Sequence, residues 1–203
     1  MRYWATILVA VAVSGCSLLS SAPPQTVYRL PAATIAAYHG SKINTSLCVM
    51  APKANGALGR SRILVAPDEQ QISAYPDVRW NTFMPVLVRD YVLEAFINDG
   101  RISQLSSEED LLRPDVLLGG ALRAFQVEYH ASMPPQATVC FDARLVDPVT
   151  RKIIASRRFM ARDAVRGEAM DEIVASFGRA ANTVAQELVN WTVVNIPSPN
   201  LSK

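Results

Sequence analysis

Between Asp115 and Val146 the chain carries two long stretches of alternating polarity, and this run constrains the fold more than any other part of the sequence. In the first, Asp115 to Tyr129, Leu118, Gly120 and Leu122 share one phase and Phe125, Val127 and Tyr129 the other. Side chains change face at every step along a strand, so one extra residue flips everything that follows it. A β-bulge near Arg123 and Ala124 reconciles the two halves. In the second stretch, Ala137 to Val146, Val139, Phe141, Ala143 and Leu145 share one face, and Thr138, Cys140, Asp142 and Arg144 the other. A sheet built from these strands has one covered side and one more polar side.

The remaining elements follow from spacing and punctuation. Short strand-like runs lie at Val27–Leu30, Ser46–Met50, Arg62–Val65 and Gln71–Tyr75, the last two separated by the turn formers Pro67 and Asp68. From Thr82 to Asp99 the period changes, with Met84, Leu87, Val88, Tyr91, Val92 and Ala95 recurring at spacings of three and four. That is one face of an amphipathic helix, with Pro85 in its first turn and Gly100 at its end. A polar loop, SQLSSEEDLLRP, leads into the long strands. After Asp147–Thr150 turns the chain, Lys152 to Ala161 forms another strand, and Met170 to Val194 a closing helix with Ile173, Phe177, Ala180, Ala181, Val184, Leu188 and Trp191 on one stripe. The order predicts an α/β (α+β) two-layer sandwich, a mixed or largely antiparallel sheet with two helices packed on one face.

The first residues speak about location. Arg2 precedes an apolar run from Tyr3 to Val13, then Ser14 and Gly15 before Cys16. The run is short of the roughly 20 apolar residues a span requires, so it reads as an export signal. Val13-Ser14-Gly15-Cys16 resembles the lipobox of bacterial lipoproteins, which implies cleavage before Cys16 and its acylation with diacylglycerol and a further, palmitate-type chain. Several acyl chains anchor stably where one is marginal. Ser17, where an Asp would retain such proteins at the inner membrane, implies release to the outer membrane. The expected organisation is a signal peptide at 1–15, a lipidated flexible tether at 16–27, a domain at 28–195 and a disordered tail at 196–203. The mature chain of 188 residues suits one domain, and its near-balanced charge does not suggest nucleic acid as a partner.

Candidate chemistry is sparse. His39 and His130 have no Cys, Asp or Glu at metal-ligand spacing and no nucleophile motif nearby, so the reading is of a non-enzyme without metal or cofactor. Gly56 and Gly59 read as a flexible loop, and Glu108, Glu109 and Asp110 as a solvated run. Cys48 and Cys140 are open to two readings, a periplasmic disulfide or two small buried thiols. Arg79 with Trp80, and Trp191, are candidate packing or interface anchors, with core packing the simpler role.

Taken together, these pieces resemble the MCE-associated auxiliary lipoproteins of ABC-type transporters. The resemblance rests on Cys16 and its Pro-containing tether, Val27-Tyr28-Arg29-Leu30-Pro31, Ser61-Arg62-Ile63-Leu64-Val65, and Tyr75 with Asp77-Val78-Arg79-Trp80 leading into the helix. It continues through Leu118-Gly119-Gly120 with Phe125, Ala143-Arg144-Leu145-Val146-Asp147, and the closing helix at Trp191. It implies a periplasmic module at the outer membrane working with an MCE-domain protein and an ABC permease and ATPase in lipid (phospholipid) transport, and a homo-oligomeric ring. It implies no catalytic residues. The alternative is a structural or assembly lipoprotein of another outer-membrane complex with no role in lipid traffic. A hydrolase would need convergent titratable groups in a pocket.

Overall fold

The computed structural model describes residues 24–68, 70–131 and 133–197, so the signal segment and Cys16 lie outside the described residues. The elements run β1 (Thr26–Tyr28), β2 (Ile43–Val49), β3 (Arg62–Ala66), β4 (Ser73–Trp80), α1 (Met84–Asp99), β5 (Ile102–Ser107), β6 (Val116–His130), β7 (Met133–Val146), β8 (Ile153–Ala164) and α2 (Met170–Asn195). They form a mixed eight-stranded sheet with two helices, the α+β sandwich expected from the sequence.

The long antiparallel β6–β7–β8 unit is the frame, and β6 is its branching point. Its first residues pair in parallel with β2, Leu47 opposite Val116 and Val49 opposite Leu118. Further along, it pairs in parallel with β3, Leu64 opposite Gln126 and Ala66 opposite Glu128. Because β7 pairs with both of these stretches of β6, β2 and β3 lie on the same edge of it, one beyond the other. The sheet therefore forks into a β2–β5 branch and a β3–β4–β1 branch. Residues 50–61, with a 3-10 turn at Gly56–Gly59, lie in the gap and meet β6 through the Met50 N–H, which donates to the Leu118 carbonyl at 2.8 Å, and through an isolated bridge from Lys53 to Ala121.

The phase slip is a bulge in β6. Leu122 opposes Phe141 and Ala124 opposes Cys140, so Arg123 is the extra residue. Leu118, Leu122, Phe125 and Val127 consequently all meet the helices despite their change of phase, and each is at most 3 % exposed. At the centre Trp80, fully buried, meets Phe125 edge-on at 5.8 Å and Phe177 at 5.5 Å, while Phe125 and Phe177 stack at 4.9 Å. Each such pair contributes about 0.5–1.5 kcal/mol beyond burial. This cluster ties β4, β6 and α2 together.

The helix signals act as their residues dictate. Pro85 occupies the first turn of α1, where its missing N–H removes no bond, and Gly100 ends the helix at φ 74°, its N–H donating to the Phe96 carbonyl at 3.0 Å. In α2 the apolar stripe from Ile173 to Leu188 is buried, and Asp171 and Glu172 sit in the first turn, where the helix dipole favours them.

Three elements depart from the sequence expectation. The segment expected as a polar loop contains β5, an edge strand parallel to β2 with Leu47 opposite Leu105. Backbone pairing with β2 holds it, and Ile102, 1 % exposed, is its one fully buried apolar residue, with Leu105 partly buried, so no alternation marks it. The stretch Asp77–Trp80, expected to lead into the helix, completes β4, because β1 covers its other edge with Tyr28 opposite Trp80. The segment 31–42 is a strap across the helices. Thr34 N–H donates to Asn182 at 2.8 Å, Asn98 donates to the Ala33 carbonyl at 2.8 Å, and Tyr38 N–H donates to the Asp99 carbonyl at 2.9 Å. Ala33 and Ile35 are buried beneath it, and Pro31 lies so close to Gly178 that a Cβ there would meet its ring at 2.8 Å.

Candidate functional site

The side of the sheet away from the helices carries no layer of its own among the described residues. The polar phase of β6, β7 and β8 decorates it. Asp142 on β7 receives both Nε and Nη2 of Arg158, at 2.6 and 2.9 Å, and Nε of the bulge residue Arg123 at 2.6 Å. Arg158, then Arg123, hold this carboxyl well below the usual carboxylate range. A second group lies toward the hairpin end. There Glu128 accepts from Thr138 at 2.7 Å and Arg162 at 3.4 Å, with His130 3.8 Å away. Long side chains on β8 stand beside Thr138 and Cys140, which are 1 % and 6 % exposed although they face away from the core.

At the fork the sheet has no side chains to fill its surface. Gly119, Gly120 and Ala121 form the floor of a depression of about 580 Å³. Gly120 must be glycine, since its φ is 152° and a Cβ would collide with the carbonyl oxygen of Asp142. Met50, Leu58, Leu117 and Val146 supply apolar walls, and Lys53, Arg123 and Arg144 supply the charge. Lys53 and Arg144 are exposed, and neither makes an ion pair among the described residues. Leu58 and Arg123 also wall a second depression of about 510 Å³ that reaches Glu128, His130 and Arg162, with Asp68 at its rim. Across the whole face, Lys53, Arg123, Arg144, Arg158 and Arg162 stand against Asp142, Glu128 and Asp68, leaving it net cationic. Such a surface is chemically suited to anions and apolar groups together; among the described residues no cluster of His, Cys, Asp and Glu is arranged to hold a metal.

The residues singled out from the sequence are dispersed. Cys48 and Cys140 are free, buried thiols, which overturns the disulfide reading. Cys48 stands opposite Leu117 and Cys140 opposite Ala124, on opposite edges of β6. The seven-residue offset alone separates them by roughly 20 Å at about 3.3 Å per residue, against the ~7 Å limit for a bridge. Burial pushes both thiols up from their ordinary pKa. Trp80 lies in the aromatic centre of the core. Arg79, half-buried on β4, donates from Nη1 to the Trp80 carbonyl at 3.2 Å. Trp191 is half-buried and meets Phe159 edge-on at 5.5 Å, and the Arg157 guanidinium lies over the same Phe159 ring at 4.9 Å from its centroid.

The acidic run is not simply solvated. Glu108 and Glu109 accept from the buried guanidinium of Arg89 on α1 at 3.2 and 2.6 Å, and Asp110 caps the turn through Ser107. The sequence missed the depression at the fork, although Arg144 on the polar phase and the adjacent Gly119-Gly120 pointed toward it. Lys53 carried no local signal, because the fork brings it there.

Comparison with known proteins agrees with the fold. A crystal structure of protein XCC0632 from Xanthomonas campestris superposes with a TM-score of 0.77 at 25 % identity, covering 84 % of this chain and 95 % of that one. A second crystal structure, of an uncharacterized protein, gives 0.65 at 12 % identity over 83 % and 98 %, a likeness of fold alone. An uncharacterized protein of Bradyrhizobium diazoefficiens is 26 % identical over 154 residues, 76 % of this chain and 41 % of that protein. The chain thus spans about two fifths of that curated relative's length. The family model for the ABC-type transport auxiliary lipoprotein component matches residues 28–189, which takes in every strand from β2 onward and both helices up to the last turns of α2. This chain belongs to the ABC-type transport auxiliary lipoprotein family.

Proposed function

We propose that the protein is a non-enzymatic accessory lipoprotein of an MCE/ABC-type lipid transport system, anchored on the periplasmic face of the outer membrane. Lipid on Cys16 holds it to the bilayer, residues 16–25, which precede β1, let the domain stand off the surface, and copies assemble into a ring that docks the conduit. The observation that carries this reading is the family match over residues 28–189, beginning twelve positions after a cysteine with lipobox flanks. Physical chemistry supports the role. A lipid crossing water exposes its chains at about 0.8 kcal/mol per methylene, so a conduit between two membranes needs a fixed receiver at the far one. The net cationic, uncovered sheet face offers a docking surface for a protein partner.

Two measurements test the reading. Purification of the lipidated protein from its native membrane should bring down an MCE-domain protein with a permease and an ATPase. Recovery of an outer-membrane assembly complex without any of these sinks the transport role in favour of an assembly lipoprotein. Cys16→Ala should move the protein out of the outer-membrane fraction and weaken the lipid barrier; unchanged localisation removes the anchor from the proposal.

A further inference from the structure

Two surfaces of this chain complement each other and are both uncovered. One is the depression at the fork, with Lys53, Arg123 and Arg144 around the apolar walls of Met50, Leu58 and Val146. The other is the knuckle between β5 and β6. Its 3-10 turn carries Glu108, Glu109 and Asp110, three carboxylates of which two share the single guanidinium of Arg89. Directly after it, Leu111 and Leu112 are 90 % and 67 % exposed. Leu111 adopts the left-handed conformation at φ 53°, which a leucine rarely takes and which turns the pair outward. Two adjacent leucines in water beside an excess of negative charge mark a contact site rather than a loop under no constraint.

We propose that the knuckle Glu108–Leu112 of one copy docks into the cationic depression of a second copy. Leu111 and Leu112 meet the walls formed by Met50, Leu58 and Val146, and the acidic turn faces Lys53 and Arg144. Charge complementarity favours this occupant. The depression is cationic without partners for two of its cations, and the knuckle is the described apolar protrusion with carboxylates to spare. The contact joins two unlike patches, so copies close on one another either as a reciprocal pair or, where each gives its knuckle to the next, as a ring. The inference deepens the homo-oligomeric part of the proposed function and rests on it.

Two surface variants of the full-length lipidated protein in neutral detergent, with masses read by analytical ultracentrifugation, test it. Leu111→Ser/Leu112→Ser disables the knuckle, and Lys53→Glu/Arg144→Glu disables the depression; all four side chains are exposed, so far-UV circular dichroism should match wild type. Each variant alone should associate at least tenfold more weakly than wild type. Mixed, they retain one intact knuckle and one intact depression and should recover a 1:1 pair. A wild type that stays monomeric defeats the homo-oligomeric reading itself. An oligomer indifferent to both variants, or variants that dissociate and fail to complement, overturn this interface and leave that reading standing. Binding of wild type to phosphatidylglycerol vesicles that vanishes with Lys53→Glu/Arg144→Glu at unchanged oligomer mass assigns the depression to a lipid headgroup and overturns it equally.

Discussion

Replacing Trp80 separates two opposing effects at the centre of the core. The side chain is fully buried and meets Phe125 and Phe177 edge-on, so Trp80→Ala opens a cavity between the sheet and α2. Truncations of this kind cost about 3–5 kcal/mol, which includes the lost ring contacts. Against that, the indole Nε1–H is buried without a protein partner, and an unsatisfied donor costs about 1–3 kcal/mol that its removal returns. The expected loss for Trp80→Ala is therefore about 2 kcal/mol. A domain of this size loses about 2–4 °C of Tm per kcal/mol, so Tm should fall by roughly 4–8 °C. Trp80→Phe keeps a ring against both partners and deletes the orphan N–H, so it should stay within about 1 kcal/mol of wild type. Urea unfolding followed by far-UV circular dichroism measures both, with an unchanged m-value showing that the native and unfolded states are comparable. An alanine variant costing under about 1 kcal/mol, or a phenylalanine variant costing as much as alanine, refutes the assignment of Trp80 as the keystone of the aromatic cluster.

Three further outcomes follow from the structure. Gly120→Ala forces a Cβ into the Asp142 carbonyl at a φ that only glycine tolerates, so it should lower stability by about 2 kcal/mol or more in the same unfolding assay, while Gly119→Ala, whose Cβ would find Met50 at an ordinary 3.6 Å, should not. Because Asp142 titrates below its unfolded value, its ion pairs stabilise the fold above the ordinary carboxylate range, and this contribution disappears as pH falls through the depressed folded value; the stability gap to Asp142→Asn should be flat near neutrality and close on acidification below about pH 4. Cys48 and Cys140 should resist a maleimide in the native protein and both react in urea without prior reductant, and a thiol pair released only by reductant would contradict their separation across β6.

How much was legible in the sequence depended on whether the forces were local. The slipped alternation through Leu122 and Phe125 announced the bulge at Arg123, because pleat and burial are encoded residue by residue. The period of α1 and α2 and the stop at Gly100 were equally plain. By contrast β5 is held by pairing with β2, sixty positions away, and its sequence, ISQLSS, alternates nothing. The strap is invisible for the same reason: Thr34 and Ala33 are fixed by Asn182 and Asn98, partners no local window contains. Of the depression, Arg144 could be placed on the polar face in advance, and Arg123 only at the bulge. Lys53 could not, since the forking of the sheet at β6 delivers it. The cysteines show the same limit, because strand phase is readable while the seven-residue offset between Cys48 and Cys140 depends on register.

The strap also decides how the molecule carries load. Tension applied from the N-terminal side reaches β1 first, and β1 holds β4 through three paired residues. Beyond it the pull is taken up where Pro31 seats on Gly178 and where the asparagines of both helices grip the backbone. The long β6–β7–β8 frame lies downstream of these fastenings. A tug from that end would first unzip the periphery, leaving the forked sheet and its cationic face in working shape.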